Sequence, residues 1–228
     1  MKEITLTLCF FLVASLSLSA QETRNLSDFS AIHAAAGINV VLLADNVSKA
    51  VVNIENGELE DVITKVDGNE LVVKFKNNSG WGKNNRKATV TVHYKSIDAV
   101  EVSSGAHITA RNALKSDDLR LEGSSGGRME LDIRAKEVDV DISSGAVVEL
   151  QGTAESQKID VSSGGILKAY ELEAQNVNVD VSSGGVARIT VNSSLVADAS
   201  SGGAVTYRGK PGKVDVDSGF SGSVKSKE

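Results

Sequence analysis

The chain has 228 residues, 41% hydrophobic, 24% charged and only 4% aromatic, with 21 Gly but one Pro and one Cys. Those fractions exclude a disordered chain, and a formal charge of −6 excludes nucleic acid as the natural partner, because phosphates select basic surfaces. With so few aromatic rings, the core must be built from Val, Ile, Leu and Ala.

Residues 1–20 have the pattern of a secretory signal peptide. Lys2 gives a positive start, Ile4 to Leu18 is apolar, and the small residues Ser19 and Ala20 precede Gln21. The run is too short for a membrane span. It carries Cys9, the only cysteine, so the processed chain is expected to hold neither a disulfide nor a cysteine metal site. No later run is apolar enough to cross a bilayer. The expected address is the periplasm, the outer-membrane surface or the extracellular space. Residues 21–27 read as a short leader. Residues 28–225 read as one domain, irregular over 28–98 and regular over 99–225.

In the irregular part, Gly37 to Leu43, Ala50 to Glu55, Leu59 to Val66, Glu70 to Lys76 and Lys87 to Tyr94 read as strands, with Asn56-Gly57 and Asp67-Gly68 as turn dipeptides. The loop Asn77 to Arg86 holds Trp81, which could stack on a sugar ring or fold back as a local hydrophobic plug.

From residue 99 a repeat takes over. Ser-Ser-Gly begins at Ser103, Ser124, Ser143, Ser162, Ser182 and Ser200, and Asp217-Ser218-Gly219 reads as a seventh, altered copy. Successive starts differ by 21, 19, 19, 20, 18 and 17 residues, a period that signals a stacked repeat. Gly tolerates the positive φ of tight turns. The flanks alternate with period two, as in Val138, Val140 and Ile142 before one turn and Val148 and Leu150 after it. Each repeat therefore supplies two short strands, a tight Ser-Ser-Gly turn and a looser turn such as Gln151 to Gln157 or Gly209 to Gly212. A meander of hairpins would leave its apolar face open. A solenoid closes that face against its own opposite strand and aligns like residues in columns. The expected fold is all-β: a right-handed parallel β-helix or β-solenoid of about 20 residues per coil, capped by the irregular N-terminal β region. The charged tail Lys225 to Glu228 suits capping of the other end.

Secretion, Gly37-Ile38-Asn39 opening the first strong strand, and serial Ser-Ser-Gly turns together resemble the head GIN domain family of auto-transporter adhesins from Bacteroidetes-type Gram-negative bacteria. The resemblance covers residues 28–225. It implies a right-handed β-helix similar to pectin-lyase-like solenoids, no established enzymatic activity and a suspected role in adhesion.

Two columns stand out on the expected surface. A carboxylate precedes each turn by two residues: Glu101, Glu122, Asp141, Asp160, Asp180, Asp198 and Asp215. These are expected to accept hydrogen bonds from turn N–H or Ser hydroxyl groups, helped by Arg120, Lys158 and Lys213. The alternative is a ladder of weak calcium sites over Glu122, Asp141, Asp160, Asp180 and Asp198. Beyond that alternative, no metal or cofactor is expected. The second column comprises His107, Arg128, Val147, Ile166, Val186 and Ala204. Its apolar members Val147, Ile166 and Val186 either form an interaction surface, including one for a second copy, or tuck inward.

His33, His93 and His107 have no short-range metal spacing, and no nucleophile, phosphate-loop or zinc-protease motif occurs. The expectation is a non-enzymatic secreted or surface binding protein, an adhesin whose ligand is a glycan or a host protein, with several weak contacts acting together. One rival is a polysaccharide-active enzyme, in which the acid column beside Lys168 and Arg188 would imitate the surface acids and basic residue of solenoid lyases and hydrolases; an outward column that leaves its repeat to form a cleft of mixed acid and base would favour it. The other is an envelope scaffold without a soluble ligand.

Overall fold

The computed structural model describes residues 20–76 and 86–227; the expected signal segment, apart from Ala20, and the Trp81 loop lie outside the described residues. The chain winds into a solenoid of about 7 turns of roughly 19 residues. Its regular body is made by β8 (Ala99–Val102), β9 (His107–Ala110), β10 (Leu114–Gly123), β11 (Arg128–Ile142), β12 (Val147–Val161), β13 (Ile166–Val181), β14 (Val186–Ala199), β15 (Ala204–Arg208), β16 (Lys213–Ser218) and β17 (Ser223–Ser226). All of them stack in parallel on the coil before.

Two faces result. The segments before the tight turns form one and the segments after them form the other, with apolar side chains meeting between. Met129, Val148, Leu167, Ala187 and Val205 follow one another in register down one inner wall; Leu121, Val140, Ile159, Val179 and Ala197 line the other. All ten are at most 2% exposed, so these two walls close on an aliphatic interior.

The tight turns explain the Ser-Ser-Gly triplet. In the turn starting at Ser162, Ser163 (φ 48°) and Gly164 (φ 73°) are both left-handed, and Gly165 N–H donates to the Ser162 carbonyl at 2.8 Å. That is a type I′ turn. Left-handed backbone costs an L-residue on the order of 1 kcal/mol, and six serines accept it. A second bond locks each turn to the next coil: Gly105 N–H donates to Ser125 O at 3.2 Å, and Gly145 N–H to Ser163 O at 3.2 Å. The residue after the triplet is small because the neighbouring coil lies against it. A Cβ on Gly203 would stand 2.1 Å from the Val181 carbonyl oxygen.

Three expectations need correction. The stretch Gln151 to Gln157 is not a loose turn: β12 runs through it as continuous strand, bending at Gly152 (φ 115°) where a Cβ would lie 2.1 Å from Ile133 O. The seventh turn is not Asp217-Ser218-Gly219. It is Gly219 to Gly222, closed by Gly222 N–H to Gly219 O at 3.0 Å, because Asp217 is still in the strand opposite Asp198. The last coil is also not covered by its tail. Val214 and Val216, which continue the period-two pattern, are 47% and 42% exposed, since among the described residues no strand lies beyond β16 and Lys225 and Ser226 belong to β17, paired with β15.

The first half supplies one more coil and a cap. β2 (Ala31–Ala35) and β3 (Asn39–Ala44) flank a turn in which Ala36 (φ 60°) and Gly37 (φ 71°) take the left-handed places, so Gly-Ile-Asn opens the first regular coil. β2 and β3 lie parallel to β8 and β9. Beyond them, β6 (Glu70–Phe75) and β7 (Lys87–Tyr94) continue the two faces in parallel. The outermost strands reverse direction: β4 (Lys49–Glu55) is antiparallel to β7, β1 (Ala20–Asn25) to β4, and β5 (Val62–Asp67) to β6. A short 3-10 turn, Leu59–Asp61, precedes β5. Arg24 of β1 donates to the carbonyls of Leu59 (2.8 Å) and Val62 (2.6 Å), tying one face to the other across the end. The expected strand starting at Leu59 thus begins with that turn, and β1 and β2 are strands the sequence did not reveal.

Candidate functional site

The acid column is real in register. Glu101, Glu122, Asp141, Asp160, Asp180 and Asp198 face one another through successive coils. Its next member is Asp217; Asp215 falls instead opposite Val196. At the other end the column is headed by His33, which pairs with Glu101. Among the described residues, no turn N–H or Ser hydroxyl donates to Asp141, Asp160, Asp180 or Asp198; the turn donors are used by backbone carbonyls. Partial burial first, then the charges of Asp141 and Asp180, push the Asp160 carboxyl above its ordinary range. Arg120 and Lys158 share a neighbouring column with Asp139 between them, while Lys213 faces Ser194 and lies elsewhere.

On the other face His107, Arg128, Val147, Ile166, Val186 and Ala204 also align. Val147, Ile166 and Val186 are half-buried and of outward parity. The structure brings these three together in one stripe but leaves Trp81 outside the described residues.

The sequence did not single out the feature that breaks the repeat. On the face after the turns, Glu130, Glu149, Lys168 and Arg188 form an outward column of two acids followed by two bases. Between Glu149/Lys168 and Gln151/Glu171 the register shifts, so that Tyr170 is the extra residue of a β-bulge. Bulges re-aim side chains out of the regular pattern. Tyr170 here lines a cleft of about 430 Å³ together with the Glu130 column, Asp132, Gln151 and Glu171. The only trace of this in the sequence was one 20-residue spacing after two of 19.

Most of the charges in and beside the cleft are engaged. Lys168 Nζ lies 3.4 Å from Glu149 Oε2. Arg128 donates to Glu130 at 2.7 Å, which holds the Glu130 carboxyl below its usual range, and His107 Nε2 stands 3.4 Å from the same oxygen. The Arg208 guanidinium stacks 4.1 Å from the Tyr170 ring centre and lies 3.6 Å from Glu171. A lowered carboxylate is a permanent acceptor and a poor general acid. The cleft presents an aromatic ring, fixed acceptors, an amide and cations, a combination suited to holding a polar ligand.

Among the described residues, no helix is long and apolar enough to cross a membrane. The stacked coils define a β-solenoid. The chain belongs to the family described as "Putative auto-transporter adhesin, head GIN domain", whose model matches residues 28–211. A "putative adhesin" from Bacteroides fragilis has the same fold, with a TM-score of 0.79 at 19% identity over 93% of this chain and 98% of that one. A "putative adhesin" from Parabacteroides merdae aligns with a TM-score of 0.73 at 20% identity, over 92% and 96%. A "putative lipid binding protein" from Parabacteroides distasonis aligns with a TM-score of 0.66 at 15% identity, over 92% and 97%. A search of curated proteins finds no match.

Proposed function

We propose that this chain is a non-enzymatic binding protein of the cell surface, exported through residues 1–20, that holds a glycan in the cleft beside Tyr170. The observation that carries this reading is the bulge. It breaks the register of β13 on β12, and the pairing of β13 with β14 is interrupted at the same place, so that Tyr170 lines one cleft with Gln151 and the Glu130 to Arg188 column. Sugar rings offer one apolar face for an aromatic ring and hydroxyls for carboxylate and amide partners. Membership of an adhesin family supports the same role. A polysaccharide-active enzyme is the second reading, since the cleft mixes acids with Lys168 and Arg188; Glu130, held low by Arg128, is not the general acid it would use.

A glycan and host-matrix array probed with the purified chain tests this. Binding to a subset of glycans is expected, with affinity lowered about tenfold or more in Tyr170→Ala and Gln151→Ala. Silence on all glycans, or binding that both variants leave intact, removes the assignment of the cleft. Cleavage of any glycan would favour the enzyme.

A further inference from the structure

Where the cap meets the regular coils, three adjacent strands carry His33 (β2), Glu70 (β6) and Glu101 (β8) on the same outward face. One ligand atom from each lies within 4.8 Å of the other two, and these are the only Cys, His, Asp or Glu side chains among the described residues that converge in threes this way. From this geometry we infer a divalent metal site that takes a borderline ion, zinc in preference to calcium, on His33 Nε2 and the Glu70 and Glu101 carboxylates.

One pair already has the spacing of a bound ion, and the third ligand atom lies within 4.8 Å of both. Four-coordinate zinc with bonds near 2.1 Å sets its ligand atoms about 3.4 Å apart. His33 Nε2 and Glu101 Oε1 are separated by 3.4 Å. The Ser103 hydroxyl, 3.0 Å from the same nitrogen, stands on the rim as a neighbour for a bound water. A simple ion pair would account for one carboxylate on His33 and not for two. Among the described residues no Lys or Arg lies within salt-bridge distance of either Glu70 or Glu101, while the nearby Arg120 is paired with Glu122. A hollow of about 90 Å³ bordered by Glu70 and Glu101, with the paired Arg120 and Glu122 on its far side, opens beside the cluster. All three side chains are half-buried, so the ligands are partly ordered before binding. The imidazole selects against calcium and magnesium, which prefer oxygen alone.

The consequence of occupancy is mechanical. Glu70 belongs to the antiparallel cap hairpin, His33 to the first coil and Glu101 to the second. One ion therefore staples the cap to the rod.

The test is titration of the chelator-treated full chain with zinc chloride and, separately, calcium chloride, read by calorimetry and by thermal unfolding. The expected result is one zinc equivalent bound with a dissociation constant in the micromolar range, on the order of 1–100 µM for an exposed three-ligand site, and a raised unfolding temperature. In His33→Ala both effects fall at least about tenfold, and calcium produces neither. Absence of saturable one-site zinc binding overturns the proposal, as does a His33→Ala titration like that of the wild type. Equal affinity for calcium and zinc also overturns it, because the imidazole would then contribute nothing. Should His33→Ala lose its β-type circular dichroism, nitrogen NMR of the wild-type imidazoles decides. A zinc-dependent shift at His33 supports the site, and a shift only at His93 or His107 overturns it.

Discussion

Asp160 stands in register with Asp180 across β12 and β13, and among the described residues neither carboxylate forms an ion pair. Its carboxyl is raised by partial burial and by the charges of Asp141 and Asp180. A raised carboxyl means the native state binds its proton before the unfolded state does. As pH falls through the raised native value toward about 3.9, this group's penalty is relieved, and above that window the penalty is fully present. Asp160→Asn is therefore expected to raise the unfolding temperature at pH 7. After solvent screening the gain is on the order of 0.5 kcal/mol, or about 1–2 °C. Differential scanning at pH 7 and again below pH 4 should show the gain at the first and not at the second.

Gln157 interrupts an inward column, between Val138 and Val177, and is 3% exposed. Neither amide atom has a hydrogen-bond partner. An unpaired buried amide costs about 1–3 kcal/mol. Gln157→Leu keeps the volume and removes the polar group, so it should stabilise by about 1 kcal/mol or more, seen as a higher urea midpoint with an unchanged slope. A lower midpoint would show that an internal water satisfies the amide.

Gly203→Ala should be strongly destabilising. Its Cβ would press on a backbone carbonyl of the coil before, which cannot yield without moving the ladder. The expected loss is on the order of 2 kcal/mol, or about 4–8 °C. Gly123→Ala is the milder comparison, since its Cβ would meet the Val148 and Ala146 side chains at 3.1 and 3.3 Å rather than a backbone carbonyl, and it should cost less than Gly203→Ala.

Asp45 accepts a 2.7 Å contact from His93 Nδ1 and a hydrogen bond from the Asn46 N–H, which together lower its carboxyl. A lowered carboxyl contributes stability above about pH 3.9 that disappears as pH falls through the lower native value. Asp45→Asn should therefore unfold at a lower temperature than the wild type at pH 6, and the two curves should converge in strong acid.

Much of this architecture was readable from residue order because the coils repeat within a short distance. Ser-Ser-Gly every nineteen or so residues, with alternating aliphatics on each side, left little freedom once stacking was assumed. The errors have physical causes. Asp217-Ser218-Gly219 imitates the triplet, but strand register outranks a three-residue likeness and carries the turn two positions on. Gly152 bends the backbone inside a strand, which looks like a turn in a linear reading. Tyr170 was visible only as one extra residue in a spacing, and its place in the cleft follows from its having no register partner on either neighbouring strand. His33, Glu70 and Glu101 lie more than thirty positions apart and meet only because the cap strand β6 stacks on the first coil. The Glu130 to Arg188 column mixes signs, so it did not register as a pattern beside the uniform acid column.

The pairing pattern has a kinetic corollary. In the regular body each strand bonds to the chain one coil behind it, as Met129 does with Val148 and Val148 with Leu167. Contacts are thus separated by about a tenth of the chain, a relative contact order more typical of helical bundles than of β-sandwiches. A chain threaded out of the cell from its N-terminus would complete the cap first, and each new coil would find a finished template waiting. Loop-closure entropy stays nearly constant from one coil to the next. Folding should then advance as a front along the rod at a rate set by the local turns, and the serines held in left-handed backbone are the points where that front would slow.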